Sequence, residues 1–433
     1  MLPDRHSEIP SRATNAYART MDLEELRTSV DRDEIDTVVV AFADHLGRLM
    51  GKRFDAEFFL ADALDHGTHA CNYLLTVDME MEVIEGYEYA NWERGYGDFH
   101  VVPDLDTLCR AAWTDRTALV LCDVLDHHSH AEVPFSPRAV LKRQVARLEA
   151  RGLTAMVATE LEFFLFREGF EALRDAKYRC LTPISPYNED YHIFQTTKEE
   201  EVMRALRNGL YDSGIPVEGS KGEAEAGQEE LNLRYGPAMD CADNHTIAKH
   251  AAKEIGWQKG RAVSFMPKWD AGRVGSASHV HQSLWKGKEN AFYDKDADLG
   301  MSAMMRAYLG GLLKYAGDIT WFLAPYVNSY RRYVKDHAAP INLEWGRDNR
   351  TTGIRVPLSK PSSRRVENRL AGMDCNPYLG IAASLACGYL GLMEKKQPRP
   401  EFKGDAYEGD GDIPQVLGSL FYNVAATTEM HKV

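Results

Sequence analysis

Two glutamates, Glu160 and Glu162, stand one residue apart in the alternating stretch TAMVATELEFFLF, residues 154–166. Side chains of a strand alternate between faces. Met156, Ala158, Glu160, Glu162 and Phe164 therefore share one side, and Ala155, Val157, Leu161, Phe163 and Leu165 the other. A single strand of this kind needs no chemistry, because a half-exposed sheet face carries polar residues for solubility alone. The pattern returns, however. Glu230, Asn232 and Arg234 share a face in ELNLRY, His279, His281 and Ser283 in SHVHQSL, and Arg365, Glu367 and Arg369 in RVENRL. Such strands, each with an apolar face for a core and a face of acids, imidazoles or guanidiniums, imply a sheet whose polar side lines a cavity. Acids and a histidine converging on a cavity point to a metal ion.

The elements that must position these residues follow from periodicity. Asp22–Val30 reads as a short helix, Ile35–Phe42 as a strand, ADHLGRLMGKRF as a turn and strand, and Phe59–His66 as helical. Tyr96–Leu105 is extended and Thr117–Val124 an apolar strand. This is a small α+β unit. DHHSHAE and the PFSP after it read as a linker, which places a domain boundary near residue 130 and divides the chain into a flexible tail over 1–20 and domains over 21–130 and 131–433. Adjacent histidines in a loop point in different directions, so His127, His128 and His130 are read as solvated linker residues rather than a metal site. Beyond the boundary, Pro137–Arg151 is an amphipathic helix leading into the acidic strand, and 167–200 is an insertion lying over the cavity. Lys198–Gly214, Cys241–Lys259, Ser302–Ala316 and Asn376–Met393 are helical. Val327–Pro357 is basic with little apolar periodicity.

The chain's 433 residues suffice for two domains and a large core. Its formal charge of −14, with no Lys/Arg cluster to offset it, argues against a nucleic-acid binder. Seven scattered cysteines, never spaced C-x-x-C, support neither a disulfide framework nor a zinc knuckle, and a reducing cytoplasm suits them. No apolar run has signal-peptide or membrane-spanning length, so no membrane partner is expected.

The motifs E-L-E at 160–162, E-A-E-A-G-Q-E-E at 223–230, H-V-H-Q-S at 279–283, N-R-T at 349–351, R-V-E-N-R at 365–369 and N-P-Y at 376–378 occur in an order that resembles the glutamine synthetase family over nearly the whole chain. The resemblance implies an α+β protein with an N-terminal β-grasp domain and a catalytic domain whose curved antiparallel sheet forms a bifunnel, ATP entering one end and glutamate the other. It also implies homo-oligomers of two stacked hexameric rings, a dodecamer, with active sites between subunits. By motif, Glu162, Glu223 and Glu230 would hold one divalent ion, and Glu160, His279 and Glu367 another. Oxygen ligands with one imidazole suit Mg²⁺ or Mn²⁺ better than zinc. The same carry-over gives Arg332 and Arg350 catalytic roles and assigns Gly275, Arg332, Arg350 and Arg369 to glutamate. It gives Tyr235, His281, Ser283, Arg355 and Arg365 to ATP. A guanidinium can grip carboxylate or phosphate through two parallel hydrogen bonds.

Two departures matter. Members of the family that use ammonia hold the ammonium ion with an Asp in the N-terminal domain and close the site with a flap Glu. Here Cys71 and Ala338 take those places. An enzyme using ammonium must attract a cation and then deprotonate it, and losing both carboxylates weakens both tasks while opening space. The chain therefore resembles the γ-glutamyl-amine ligase branch, whose members join the glutamate γ-carboxyl to polyamines, ethanolamine or methylamine through γ-glutamyl phosphate. An ammonia-dependent glutamine synthetase with a rearranged ammonium site and a catalytically silent structural or regulatory relative are the alternatives. Val274 stands where an Asn precedes Gly275 in ammonia-using members, Ile413–Leu420 is followed by no acidic helical tail, and DAYEGDG around Tyr407 departs from the adenylylation segment.

Overall fold

The computed structural model describes residues 21–357 and 359–408. The expected tail over 1–20 and the Ile413–Leu420 segment lie outside the described residues. The first helix, Leu23–Asp31, starts where the sequence provides a reciprocal cap: Asp22 accepts from the Glu25 N–H, and Glu25 accepts from that of Asp22.

An N-terminal sheet follows, made of β1 (Thr37–Ala43), β2 (Leu49–Asp55), β3 (Thr68–Cys71), β4 (Asp98–Pro103), β5 (Cys109–Arg110) and β6 (Thr117–Asp126). Its order is β2-β1-β6-β4-β3, with β5 also on β6; β1 and β6 run parallel and the other pairs antiparallel. Between β2 and β3 the chain is helical over 56–66. β6 is covered on both faces. Ala118, Val120, Cys122 and Val124 pack with Leu26, Phe42 and Phe99, while Leu119 and Leu121 pack with Leu206, Ile247 and Phe163 of the second unit. Burial on both sides explains why this strand reads as an unbroken apolar run rather than an alternating one.

The second sheet has ten strands: β7 (Thr154–Phe166), β8 (Val217–Gly222), β9 (Gln228–Leu233), β10 (Gly236–Pro237), β11 (Ala262–Ser264), β12 (Val280–Lys286), β13 (Glu289–Asn290), β14 (Trp345–Arg347), β15 (Ile354–Val356) and β16 (Val366–Asn368). Its main path is β14-β15-β16-β12-β7-β9-β8. Apolar side chains of β7, β9 and β12 face two cores built with the helices Glu200–Asp212, Ala238–Gln258, Ala303–Tyr315 and Pro377–Glu394. The polar faces of the same strands are left for the cavity.

One amide joins the two units. Asn376 Oδ1 caps the last long helix by accepting from the N–H groups of Tyr378 and Leu379, at 3.0 and 3.4 Å. Its Nδ2 donates to the carbonyls of Asp44 and His45 in the β1–β2 turn, at 2.9 and 3.1 Å. Among the described residues no helix is long and apolar enough to cross a membrane.

Candidate active site

Register brings the polar residues side by side. Glu162 lies opposite Glu230 and Glu160 opposite Asn232 across β7 and β9. His281 pairs with Ala158 on one side and with Glu367 on the other, and Glu367 in turn with Arg355. Two cavities open on this face and meet at Glu160, which lines both.

The first, about 310 Å³, is lined by Tyr235, His281, Ser283 and Arg365 together with Asn232 and Trp285. The Tyr235 and Trp285 rings lie nearly parallel, 6.4 Å apart, a flat apolar surface at the mouth. The second, about 570 Å³, collects all six expected metal ligands, the glutamate-side Gly275, Arg332, Arg350 and Arg369, and also Ala338. Arg355, expected with the nucleotide group, lies in this second cavity because its Nη1 donates to Glu367 Oε2 at 2.8 Å. Cys71 is on β3, its thiol 3.8 Å from the Tyr96 carbonyl, and lines neither cavity.

The carboxylates fall into differently compensated sets. Glu162, Glu223 and Glu230 bring ligand oxygens within 4.8 Å of one another. Glu162 Oε2 accepts from the Ala277 N–H at 2.7 Å; among the described residues the trio's one ion-pair partner is Lys221, paired with Glu223 and 3.7 Å from Glu230, with the Arg332 guanidinium acting on Glu162 from further away. Burial and the neighbouring Glu223 hold Glu162 well above the usual carboxylate range. Burial, with Glu160 and Glu162, pushes Glu230 up to about 10. Glu223 is lowered: burial opposes this, but the hydrogen bond from Glu230 and the Lys221 ammonium outweigh it. Three acids with a single ion-paired ammonium lack positive charge at close range, the deficit that a bound divalent cation removes.

Glu160 receives His279 Nδ1 at 2.6 Å and His281 Nε2 at 3.0 Å. These imidazoles hold it well below its usual range, against the effect of burial. Its oxygens group with Glu162 and His279, and with His281 and Glu367. His281 thus reaches the acid cluster as well as the first cavity. Glu367 is gripped by Arg355 and, at 2.6 Å, by Arg369. Burial works to raise it, but His281, Arg369 and His279 bring it to about 2. His279 is buried and pushed down, first by desolvation and then by Arg369, and its Nε2 has no partner. A neutral imidazole with an unused nitrogen, set among carboxylates, is a donor set that fits a hard divalent ion.

The guanidiniums are equally unfinished. Arg332 is 1% exposed; its Nη2 donates to the carbonyl of Leu370 at 2.7 Å and its plane lies over Tyr333. The Nε atoms of Arg332, Arg355 and Arg369 are buried without acceptors. Buried N–H groups of this kind need an acceptor, and an anionic substrate supplies one. Gly275 is required beside Arg332, since a Cβ there would stand 2.7 Å from Arg332 Cγ.

Some lining residues lack an obvious sequence signal. Lys221 sits on β8, whose VEGSKG reads as a loop, and Asp190 and Tyr191 come from the insertion over the cavity. Behind the sheet is a second acidic trio, Glu189, Glu199 and Glu229, with oxygens again within 4.8 Å and exposures of 0, 0 and 1%. Glu189 Oε1 accepts from the Gly227 N–H at 2.6 Å. The other Glu189 oxygen, both of Glu199 and one of Glu229 have no donor except a proton held among the three. Burial, reinforced by the neighbouring acids, pushes them up to about 8, 9 and 8 respectively.

Residues 134–429 match the family described as glutamine synthetase, catalytic domain. The chain is 42% identical over 397 residues to the gamma-glutamylethanolamide synthetase of Streptomyces coelicolor, covering 91% of this chain and 85% of that protein. It is 32% identical over 401 residues to a glutamate–isopropylamine ligase of a Pseudomonas species, with coverages of 92% and 87%. To the glutamine synthetase of Thermotoga maritima it is 30% identical over 392 residues, with coverages of 89% and 84%. A solved structure of apo GmaS without ligand superposes with a TM-score of 0.78 at 26% identity, over 92% of this chain and 90% of that one.

Proposed function

The chain belongs to the glutamine synthetase family, and from that premise we propose that it is an ATP-dependent ligase joining the γ-carboxyl of glutamate to an organic primary amine. The amine is of the polyamine, ethanolamine or methylamine class. The observation that carries this reading is the second cavity, which has a full set of acids and guanidiniums but Ala338 where an ammonium-binding member has its flap carboxylate. The names of the relatives, an ethanolamide synthetase and an isopropylamine ligase, support it.

In this reading a γ-carboxylate oxygen of glutamate attacks the terminal phosphorus of ATP, ADP leaves, and γ-glutamyl phosphate forms. The amine nitrogen then attacks the acyl carbon, the C–O bond to phosphate breaks, and the nitrogen gives up a proton. Gly275, Arg332 and Arg369 hold glutamate, with Arg350 and Arg332 on the transferring phosphoryl group. Tyr235 and Trp285 offer the flat surface for adenine, and His281, Ser283 and Arg365 the polar contacts of the nucleotide. Arg355, paired with Glu367, would reach the nucleotide phosphates from the second cavity. Glu162, Glu223 and Glu230 would hold one Mg²⁺ or Mn²⁺, and Glu160, His279 and Glu367 a second. Bound there, such ions neutralise the phosphate charge that would otherwise repel the incoming carboxylate.

The reading includes a β-grasp unit over 21–130 and a catalytic unit over 131–433, supported by the two sheets. It also includes a cytoplasmic homo-oligomer of two hexameric rings with active sites between subunits, in which Cys71, outside both cavities of its own chain, would serve a neighbour's site; light scattering measures the assembly.

Phosphate release with ammonium, methylamine, ethanolamine, putrescine and spermine tests the reaction. An organic amine should exceed ammonium in kcat/KM by about tenfold or more, roughly 1.4 kcal/mol of discrimination. Ammonium as the best nucleophile would overturn the reading in favour of glutamine synthetase. Absence of metal-dependent ATP binding would leave a catalytically silent relative.

A further inference from the structure

His127, His128 and His130 are exposed, as a solvated linker implies, but their rings meet one another and two strand histidines. His69 and His100 pair directly across β3 and β4 and stack with centroids 5.3 Å apart. His69 meets His127 at 5.1 Å, His127 meets His128 at 5.2 Å, and His100 meets His130 at 5.4 Å. A row of imidazoles therefore crosses the N-terminal sheet and the turn after β6, and none of them lines either catalytic cavity.

One pair in this row is built differently from the others. His100 Nε2 lies 2.7 Å from the His66 carbonyl oxygen. A carbonyl can only accept, so Nε2 carries the proton and the lone pair of the neutral ring is on Nδ1. That Nδ1 is 3.4 Å from Nδ1 of His130, which in the metal-free protein donates its N–H proton to it. Two nitrogens bound at about 2.0–2.1 Å to one tetrahedral ion stand about 3.3–3.4 Å apart, so the pair has the bite of a chelate. Fixing one ring nitrogen on a backbone carbonyl is also how metal-ligating histidines are oriented.

The surroundings hold this geometry in place. His130 has φ of 53°, a left-handed conformation uncommon for a residue with a side chain. The turn is tied by Asp126, whose carboxylate accepts from the N–H groups of His128 and Ser129 and from the Ser129 hydroxyl, and whose carbonyl accepts from the His130 N–H. Gly67 permits the approach of His100, since a Cβ there would stand 2.5 Å from its Nε2. A linker needed only for length and solubility requires none of this.

We propose that His100 and His130 chelate a borderline transition-metal ion such as Zn²⁺, Ni²⁺ or Cu²⁺, with water in the remaining positions. Imidazole without carboxylate favours such ions over Mg²⁺, which separates this site from the acid cages of the active site. The ion would clamp β4 to the turn that leads into the catalytic unit.

The test uses the full chain, stripped of metal and then held in saturating Mg²⁺, with Zn²⁺ added in equilibrium dialysis. Wild type should bind one Zn²⁺ per chain that is weakened about tenfold or more in H100A and in H130A and kept in H128A. Thermal unfolding without metal checks that the variants are folded. With Cu²⁺ as probe, the electron paramagnetic resonance spectrum of wild type should show coupling to two imidazole nitrogens that H130A loses. Equal zinc binding by wild type and H130A, including zinc that has merely displaced Mg²⁺ from the carboxylates, would overturn the site. Equal loss in H128A and H130A would overturn it too, by reducing the row to nonspecific imidazole.

Discussion

Glu229 and Glu230 are neighbours on β9, yet each belongs to a different acidic trio. Glu230 joins Glu162 and Glu223 on the cavity face; Glu229 joins Glu189 and Glu199 on the face that carries Leu231 and Leu233 into the core. Both trios bring three carboxylates within 4.8 Å, and residue type and spacing do not distinguish them. What differs is access and charge. The first opens on a cavity of about 570 Å³ beside Lys221, whereas the second is buried, reached only where Glu199 backs a smaller cavity of about 220 Å³ beside Lys198, and forms no salt bridge among the described residues. An open cage short of positive charge can take a cation, while a buried one with its side chains out of water relieves its repulsion by keeping protons. Chemistry here depends on which side of a strand an acid occupies.

The sharpest way to break this comparison is to neutralise one member of each trio. Glu230→Gln keeps the shape and removes a carboxylate from the cage, and phosphate release should fall by about 10²–10³-fold, the usual scale for losing one electrostatic contact to a developing charge. Added Mg²⁺ should raise the Tm of wild type by more than that of this variant, which keeps only the ligands around Glu160, His279 and Glu367 complete, because binding to the folded state alone is stabilising. Intact activity in Glu230→Gln would mean that the two trios do not differ as described.

A smaller effect is expected from adding a carboxylate to the open cavity. Ala338→Glu restores the negative group found in ammonia-using members, and the ratio of kcat/KM for ammonium over ethanolamine should rise about tenfold. An unchanged ratio in the nucleophile panel would show that Ala338 does not govern the choice of amine.

The smallest effect belongs to the buried trio. Folded Glu199 keeps its proton up to about 9, whereas the unfolded side chain releases it near 4.5. Between those values the folded state binds more protons, so stability falls as pH rises from about 4.5 through about 9. Glu199→Gln removes this loss. Urea unfolding should show a flatter pH dependence and a gain of roughly 1 kcal/mol, or ~2 °C in Tm, at the alkaline end, with phosphate release intact. Destabilisation instead would mean that the trio holds a cation in place of protons.

How much of this could be read beforehand depended on periodicity. β7, β9 and β12 carry alternation long enough to assign both faces, so the acids, histidines and apolar backs were legible together. β8 was hidden because VEGSKG has no apolar alternation, and with it Lys221. β14 and β15 are three residues each, too short for a pattern, so only the motif points to Arg355, which lines the second cavity. Glu189, Glu199 and Glu229 look like surface acids, since nothing local says that an insertion folds back to bury them. The histidines of the DHHSHAE turn gave no sign of His69 and His100, which come from strands far away in the chain.

The Asn376 amide both ends a helix and holds the β1–β2 turn. A planar group with its acceptor and donor committed in opposite directions works like a carpenter's square. A shift of the β1–β2 turn pulls on the same amide that caps Pro377–Glu394, so the position of that turn and the start of the helix are mechanically coupled.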